Sequence, residues 1–168
     1  MVETIYLNWS TLPFYQSPPM KELFSFRKGT LADLPQLKLL GLNAYGEYSM
    51  VLTEPHWKKF HDNLQNEADL ADLIKQAIVF VCETNDRKIV GVIYFIPSGQ
   101  PTEIFLKEWC TIRRLGVDPS SRGQGIAWHL TKYCIDYAKQ TNEQTIALHT
   151  SEFMNDARKL YEKWDLKN

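Results

Sequence analysis

Cysteine is scarce in this sequence. Cys82, Cys110 and Cys134 are the only three in 168 residues, and no two form a Cys-x-x-Cys pair. That spacing excludes a zinc ribbon and a dithiol redox motif. Three scattered thiols are expected to be reduced and mostly buried, which points to the cytoplasm. Histidine is as sparse. His56, His61, His129 and His149 lack metal-ligand spacing, and His56 and His61, five apart, do not share a helical face. No metal is therefore expected. No apolar run reaches transmembrane length. The opening "MVETIYLNWS" lacks the basic start and apolar block of a secretory signal. Charge of either sign is not in excess: the formal net charge is −1. That gives no reason to expect nucleic acid as a partner, and no basic run suggests a membrane surface. Internal repeats and low-complexity tracts are absent too.

What remains is globular: 44% of residues are hydrophobic, and the length suits one domain with a sizeable core. Residues 1–20 read as an N-terminal extension rich in proline and aromatics, and residues 21–168 as the domain. Leu23 to Arg27 alternates like a strand. Leu31 to Tyr45 is helical, with Leu34, Leu37, Leu40 and Leu42 mostly on one face. Thr53-Glu-Pro opens a second helix, and a third spans Ala68 to Lys75. "AIVFVCE" and "KIVGVIYFI", joined at Asn85-Asp86, form a hairpin. "WCTIRRLGVD" is a further strand that Pro119 ends. Arg122 to Gln140 is a helix with Ile126, Leu130, Tyr133, Cys134, Tyr137 and Ala138 in its apolar stripe. A strand at Thr145 to His149 and a helix at Asn155 to Trp164 follow. The order gives an α/β (α+β) fold: a mixed, mostly antiparallel central sheet flanked by helices, not a doubly wound alternation.

The densest local signal is "VDPSSRGQGIAWHL", Val117 to Leu130. A strand enters, Pro119 stops it and a helix leaves. The first amides of a helix have no internal partners and sit at the positive end of the helix dipole. Gly123 and Gly125 remove Cβ atoms from that mouth and Arg122 adds charge to it. The combination suits a pyrophosphate. Gly123-x-Gly125-x-Ala127 also has a faint likeness to a dinucleotide fingerprint, but no acidic residue ends a second parallel strand about 20 residues on.

The larger constellation resembles the GNAT superfamily of N-acetyltransferases. Their Arg/Gln-x-x-Gly-x-Gly/Ala loop is matched by Arg122, Gly125 and Ala127. Their Leu-x-Val-x-Pro strand is matched by Leu115, Val117 and Pro119. The spacing of their last conserved helix is matched by Asn155, Tyr161 and, approximately, Ala157. The resemblance covers Leu23 to Leu166. It implies acetyl-CoA as cosubstrate and a primary amine of a small molecule or peptide as acceptor. The pyrophosphate would sit on the amides of Arg122, Gly123, Gln124, Gly125, Ile126 and Ala127. Pantetheine would lie along Leu115, Gly116 and Val117, and Asn155 would help to hold it. In the family this strand and the next splay apart. The N–H of Val117 or Leu115 would face the oxyanion, and Tyr161 would protonate the leaving thiolate, against the simpler role of a core tyrosine.

The base stays open. Many relatives carry Glu where this chain has Thr111, so Glu103, Glu108, His149 and a water relay are all candidates. One of Arg113 and Arg114 would face the site, since strand neighbours point oppositely, or the pair would form surface salt bridges. Trp128 and Ile135 lie off the apolar stripe and would mark a partner surface, as in a homodimer, or pack on the extension. The strands that usually follow the family's last helix are apparently missing. "TIYLNWS", with Ile5, Leu7 and Trp9 alternating and Pro13 as its end, is expected to add to the sheet in its own subunit or a neighbour. Thr111 and the short C-terminus keep a non-catalytic acyl-CoA-binding module as the alternative.

Overall fold

The computed structural model describes residues 2–7, 18, 23–151 and 154–163. The strands are β1 (Val2–Leu7), β2 (Phe24–Lys28), β3 (Ile78–Thr84), β4 (Ile89–Ile96), β5 (Cys110–Val117) and β6 (Ile146–Ser151). The α-helices are α1 (Leu34–Tyr45), α2 (Glu54–Gln65), α3 (Glu67–Gln76), α4 (Ile126–Gln140) and α5 (Asn155–Lys163). One six-stranded sheet runs in the order β1-β6-β5-β4-β3-β2. Only β5 and β6 are parallel; every other neighbouring pair is antiparallel. The mixed, mostly antiparallel sheet is the one expected from the order of elements.

All eight residues of β4, "IVGVIYFI", are buried, because helices cover both faces of the sheet. Ile93 and Phe95 point into one cluster with Leu130 and Cys134 of α4. Val92 and Tyr94 point into the other, with Leu37 and Leu40 of α1 and Leu70 and Ile74 of α3. Alternation along the strand feeds the two cores in turn. Close contact with α4 depends on Gly91, where a Cβ would stand 2.6 Å from Ile126 Cγ2. The first turn is fastened by charge. Arg27 grips Asp33 through two nitrogens at 2.8 and 2.9 Å and reaches Glu83 at 2.9 Å. The paired guanidinium holds the Asp33 carboxyl below its ordinary value.

Three expectations need correction or completion. Trp128 and Ile135 are 8% and 2% exposed and belong to the core around α4, so they are not a partner surface. Helix α4 begins at Ile126, not Arg122. The Asp118 side chain accepts from the Ser120 amide at 3.0 Å and winds Pro119–Ser121 into one 3-10 turn. Gly123 (φ 73°) and Gly125 (φ 82°) then hold left-handed backbone that no helix continues through. The N-terminal segment does join the sheet: Val2–Leu7 pairs antiparallel with β6, from Val2 opposite Ser151 to Leu7 opposite Ile146. Trp9 and Pro13 lie outside the described residues. Cys82, Cys110 and Cys134 are free and buried. Among the described residues no helix is long and apolar enough to cross a membrane.

Candidate active site

β5 and β6 are paired only from Cys110 to Ile112, opposite Ile146 to Leu148. Beyond that point they separate, and the cause lies on the other side of β5. Tyr94 pairs with Arg113 and Val92 with Gly116, so Arg114 and Leu115 together oppose Ile93. One extra residue in β5 makes a bulge. Arg114 takes the left-handed conformation there, φ 47°, which side-chain-bearing residues rarely adopt. A bulge bends its strand and increases its twist, which carries the end of β5 away from β6.

The opening is a cleft of about 240 Å³, walled by Tyr45, Tyr48 and Phe60 on one side and by Met154, Ala157 and Tyr161 on the other. Arg113, Arg114, Leu115, His149 and Thr150 form its floor. A second hollow of about 480 Å³ shares Ile112, Arg113, Arg114 and His149 and is closed by Thr102 to Phe105. The expectation that only one arginine faces the site fails because the bulge breaks strand alternation: both line both hollows. Nor do they make surface salt bridges. Neither has a carboxylate partner among the described residues, and the Arg113 guanidinium lies 5.7 Å over the Phe105 ring.

Tyr161 is buried at the cleft wall, and burial pushes its hydroxyl well above the usual tyrosine value. Tyr45 is shifted the same way, chiefly by burial and next by Tyr161. Its hydroxyl donates to the Leu115 carbonyl at 2.8 Å, tying α1 to the bulge. The His149 side chain is exposed, and partial desolvation at the cleft floor lowers it below its ordinary value, so its ring is neutral near pH 7 and able to accept a proton. Of the other candidate bases, Glu103 lines only the outer hollow. Glu108 is exposed and lines neither. Thr111 is buried with an unpartnered hydroxyl.

The strand Leu115–Gly116–Val117 leads from the cleft to the glycine loop. At Gly123 a Cβ would meet nothing within 4 Å among the described residues, which leaves the backbone there open to a ligand on that side. The amides of Gly123, Gln124 and Gly125 have no backbone acceptor among the described residues. Gly125 caps α4, and Ile126 and Ala127 supply its first free N–H groups. The Arg122 side chain, expected at an anion, is engaged elsewhere. It meets both Glu47 oxygens at 2.9 Å and the Ala44 carbonyl at 2.8 Å, clamping the loop to the end of α1. The Asn155 side chain lies outside what the structure describes.

Phe105 and the positive φ of Arg114 are the parts of this site that sequence reasoning missed. No residue-type signal announces a left-handed arginine.

Residues 44–165 match the acetyltransferase (GNAT) family, and the chain belongs to it. Human N-acetyltransferase 8B is 26% identical over 121 residues, 69% of this chain and 52% of that protein. The chain thus spans about half the length of this curated relative. Among solved structures, PaiA N-acetyltransferase from Thermoplasma acidophilum, in complex with coenzyme A, superposes with a TM-score of 0.69 at 14% identity. The match covers 83% of this chain and 87% of that one. The ribosomal-protein-S18-alanine N-acetyltransferase of Escherichia coli gives 0.61 at 17% identity, covering 83% and 75%. A GNAT acetyltransferase from Brucella melitensis in complex with acetyl-CoA gives 0.54 at 17%, covering 76% of each.

Proposed function

We propose that this chain is an acetyl-CoA-dependent N-acetyltransferase acting on a primary amine of a small molecule or peptide. The observation that carries the reading is the splayed β5–β6 cleft, with Tyr161 on its wall and an open glycine loop at the end of the same strand. The residues fit the cosubstrate. Amides at Gly123, Gln124 and Gly125 that have no backbone acceptor among the described residues suit a pyrophosphate, and the strand edge at Leu115 to Val117 suits an extended amide-bearing arm.

The amine nitrogen attacks the thioester carbonyl. A C–N bond forms and the C–S bond breaks. His149, neutral and at the floor of the cleft, takes the proton released by the attacking amine. An N–H of Leu115 or Val117 donates to the developing oxyanion. Tyr161 donates to the departing sulfur. The low-dielectric surroundings that keep Tyr161 protonated also disfavour a bare thiolate, so the sulfur is made more basic where the proton is offered.

Buried Thr111, at the position where relatives carry Glu, favours the second reading, a binding module without turnover. Tyr161→Phe separates the two. It keeps the ring in its cluster and removes the hydroxyl. With acetyl-CoA and an amine panel, thiol release should fall roughly 10²-fold while coenzyme A affinity by calorimetry stays the same. An equally active variant would return Tyr161 to the core. Binding without release in the wild type would favour the module.

A further inference from the structure

Arg27, Arg87 and Arg122 each meet a carboxylate within the fold. Arg113 and Arg114 meet none among the described residues, although they are adjacent and face one cleft. Arg113 is half-buried, and its Nε is fully buried with no acceptor among the described residues. A guanidinium N–H removed from water without a partner is costly. Arg114 is held beside it in strained backbone. Among the described residues the inner cleft is lined by no Asp or Glu, and Glu103 is the acidic residue at the outer hollow. The floor of the cleft is therefore, among the described residues, a cationic surface without counter-charge, under an aromatic wall of Tyr45, Tyr48 and Phe60.

We propose that the acceptor is an amine bearing a neighbouring carboxylate, an amino acid with an apolar or aromatic side group, whose carboxylate is held by Arg113 and Arg114. The proposal rests on the N-acetyltransferase reading and names its substrate class. A carboxylate supplies the acceptor that the Arg113 Nε lacks and offers the planar pairing that guanidinium favours. The aromatic wall takes the side group. The same two charges repel an ammonium, which favours the neutral amine that attacks. They also exclude polyamines and lysine-rich peptides. Arg113 and Arg114 are thus specificity-determining residues.

The test uses the full chain, saturating acetyl-CoA and four amines: phenylalanine, phenylalaninamide, phenethylamine and spermidine. Wild-type kcat/KM for phenylalanine should exceed each of the others by about ten-fold or more, the size of one charged hydrogen bond. Arg113→Gln should remove that advantage by lowering the phenylalanine value and easing the exclusion of spermidine, with coenzyme A affinity unchanged. A second arm needs no turnover. In the presence of coenzyme A, N-acetylphenylalanine should bind the wild type about ten-fold more tightly than N-acetylphenylalaninamide, and Arg113→Gln should bind the two alike. Preference for the acid in binding, with no amine acetylated, would overturn the transferase reading while supporting the charge assignment. Equal use of the amide, or preference for spermidine, would overturn the proposal. So would a loss of coenzyme A affinity in Arg113→Gln with the acceptor preference intact, which would assign the arginines to a cosubstrate phosphate.

Discussion

At position 114 the usual order of alanine and glycine should reverse. In an ordinary strand, glycine is less stable than alanine by roughly 0.5–1 kcal/mol, because it loses more backbone freedom on folding. Arg114 has φ 47°. There a Cβ crowds the following carbonyl at a cost of about 1–2 kcal/mol, which glycine escapes. Glycine keeps its entropic penalty of roughly 0.4–1 kcal/mol, so the net advantage over alanine is about 1 kcal/mol. Both substitutions remove the same charge and the same side-chain stem, so the contrast between Arg114→Ala and Arg114→Gly isolates the backbone. Urea melts of the two variants should give equal m-values and a later midpoint for glycine. In thermal melts the glycine variant should stand about 2–4 °C higher, as expected for a chain of this size. Both variants should lose preference for a carboxylate-bearing acceptor to the same extent. If alanine is as stable as glycine, the bulge as drawn is wrong, and with it the reason both arginines share one face.

Three further outcomes follow from other parts of the site. Gly125→Glu should weaken coenzyme A binding at least ten-fold by placing negative charge at the mouth of α4 (an order-of-magnitude expectation). It should also cost about 1–2 kcal/mol of stability, because Gly125 has φ 82° and a Cβ there would lie 3.2 Å from Pro18 Cγ. A neutral effect on binding, by calorimetry, would remove the loop from the cosubstrate site. For His149, partial desolvation lowers the pKa below its ordinary 6.5. As a base it must be neutral, so wild-type kcat/KM should be flat near neutrality and fall only as pH drops through that lowered value. His149→Gln should abolish this acid limb and lower the plateau roughly 10²-fold; a retained limb in the variant would pass the role to another group. Deleting residues 1–19 strips β1 from β6 and exposes a row of backbone donors and acceptors. A clear fall in melting temperature or a new tendency to associate is expected; a variant that melts and sediments like the full chain would leave β1 without a structural role.

Much of the fold was legible because its signals are local. The fully apolar "IVGVIYFI" implied a strand covered on both faces, and the alternation in "TIYLNWS" implied a strand in search of an edge. Trp128 and Ile135 were misplaced for a physical reason. A stripe read on one helix assumes one buried face, but α4 is held between the sheet and the elements beside it, so side chains well off that stripe are buried too. The glycine loop was legible in residue type, while the destination of Arg122 was not. Its partners, Glu47 and Ala44, lie 75 and 78 residues away in sequence, and no spacing rule links positions that far apart.

The site itself shows where sequence pattern stops being informative. Alternation assigned Arg113 and Arg114 to opposite faces, and for a regular strand it would have been right. One extra residue in β5 overrides it, and three consequences follow from that insertion together. The parallel pairing with β6 ends at Ile112, which opens the cleft. The carbonyl of Leu115 turns to meet the Tyr45 hydroxyl, which fixes α1 as one wall. Two guanidinium groups come onto one floor with no carboxylate between them among the described residues. A strand with strict alternation could not do all three, because it would place one arginine on the α4 side, where the core around Leu130 and Cys134 leaves no water for it. The strained backbone at Arg114 is therefore tied to the cleft it creates, and restoring regular pairing there would close the opening between β5 and β6 on which the proposed chemistry depends.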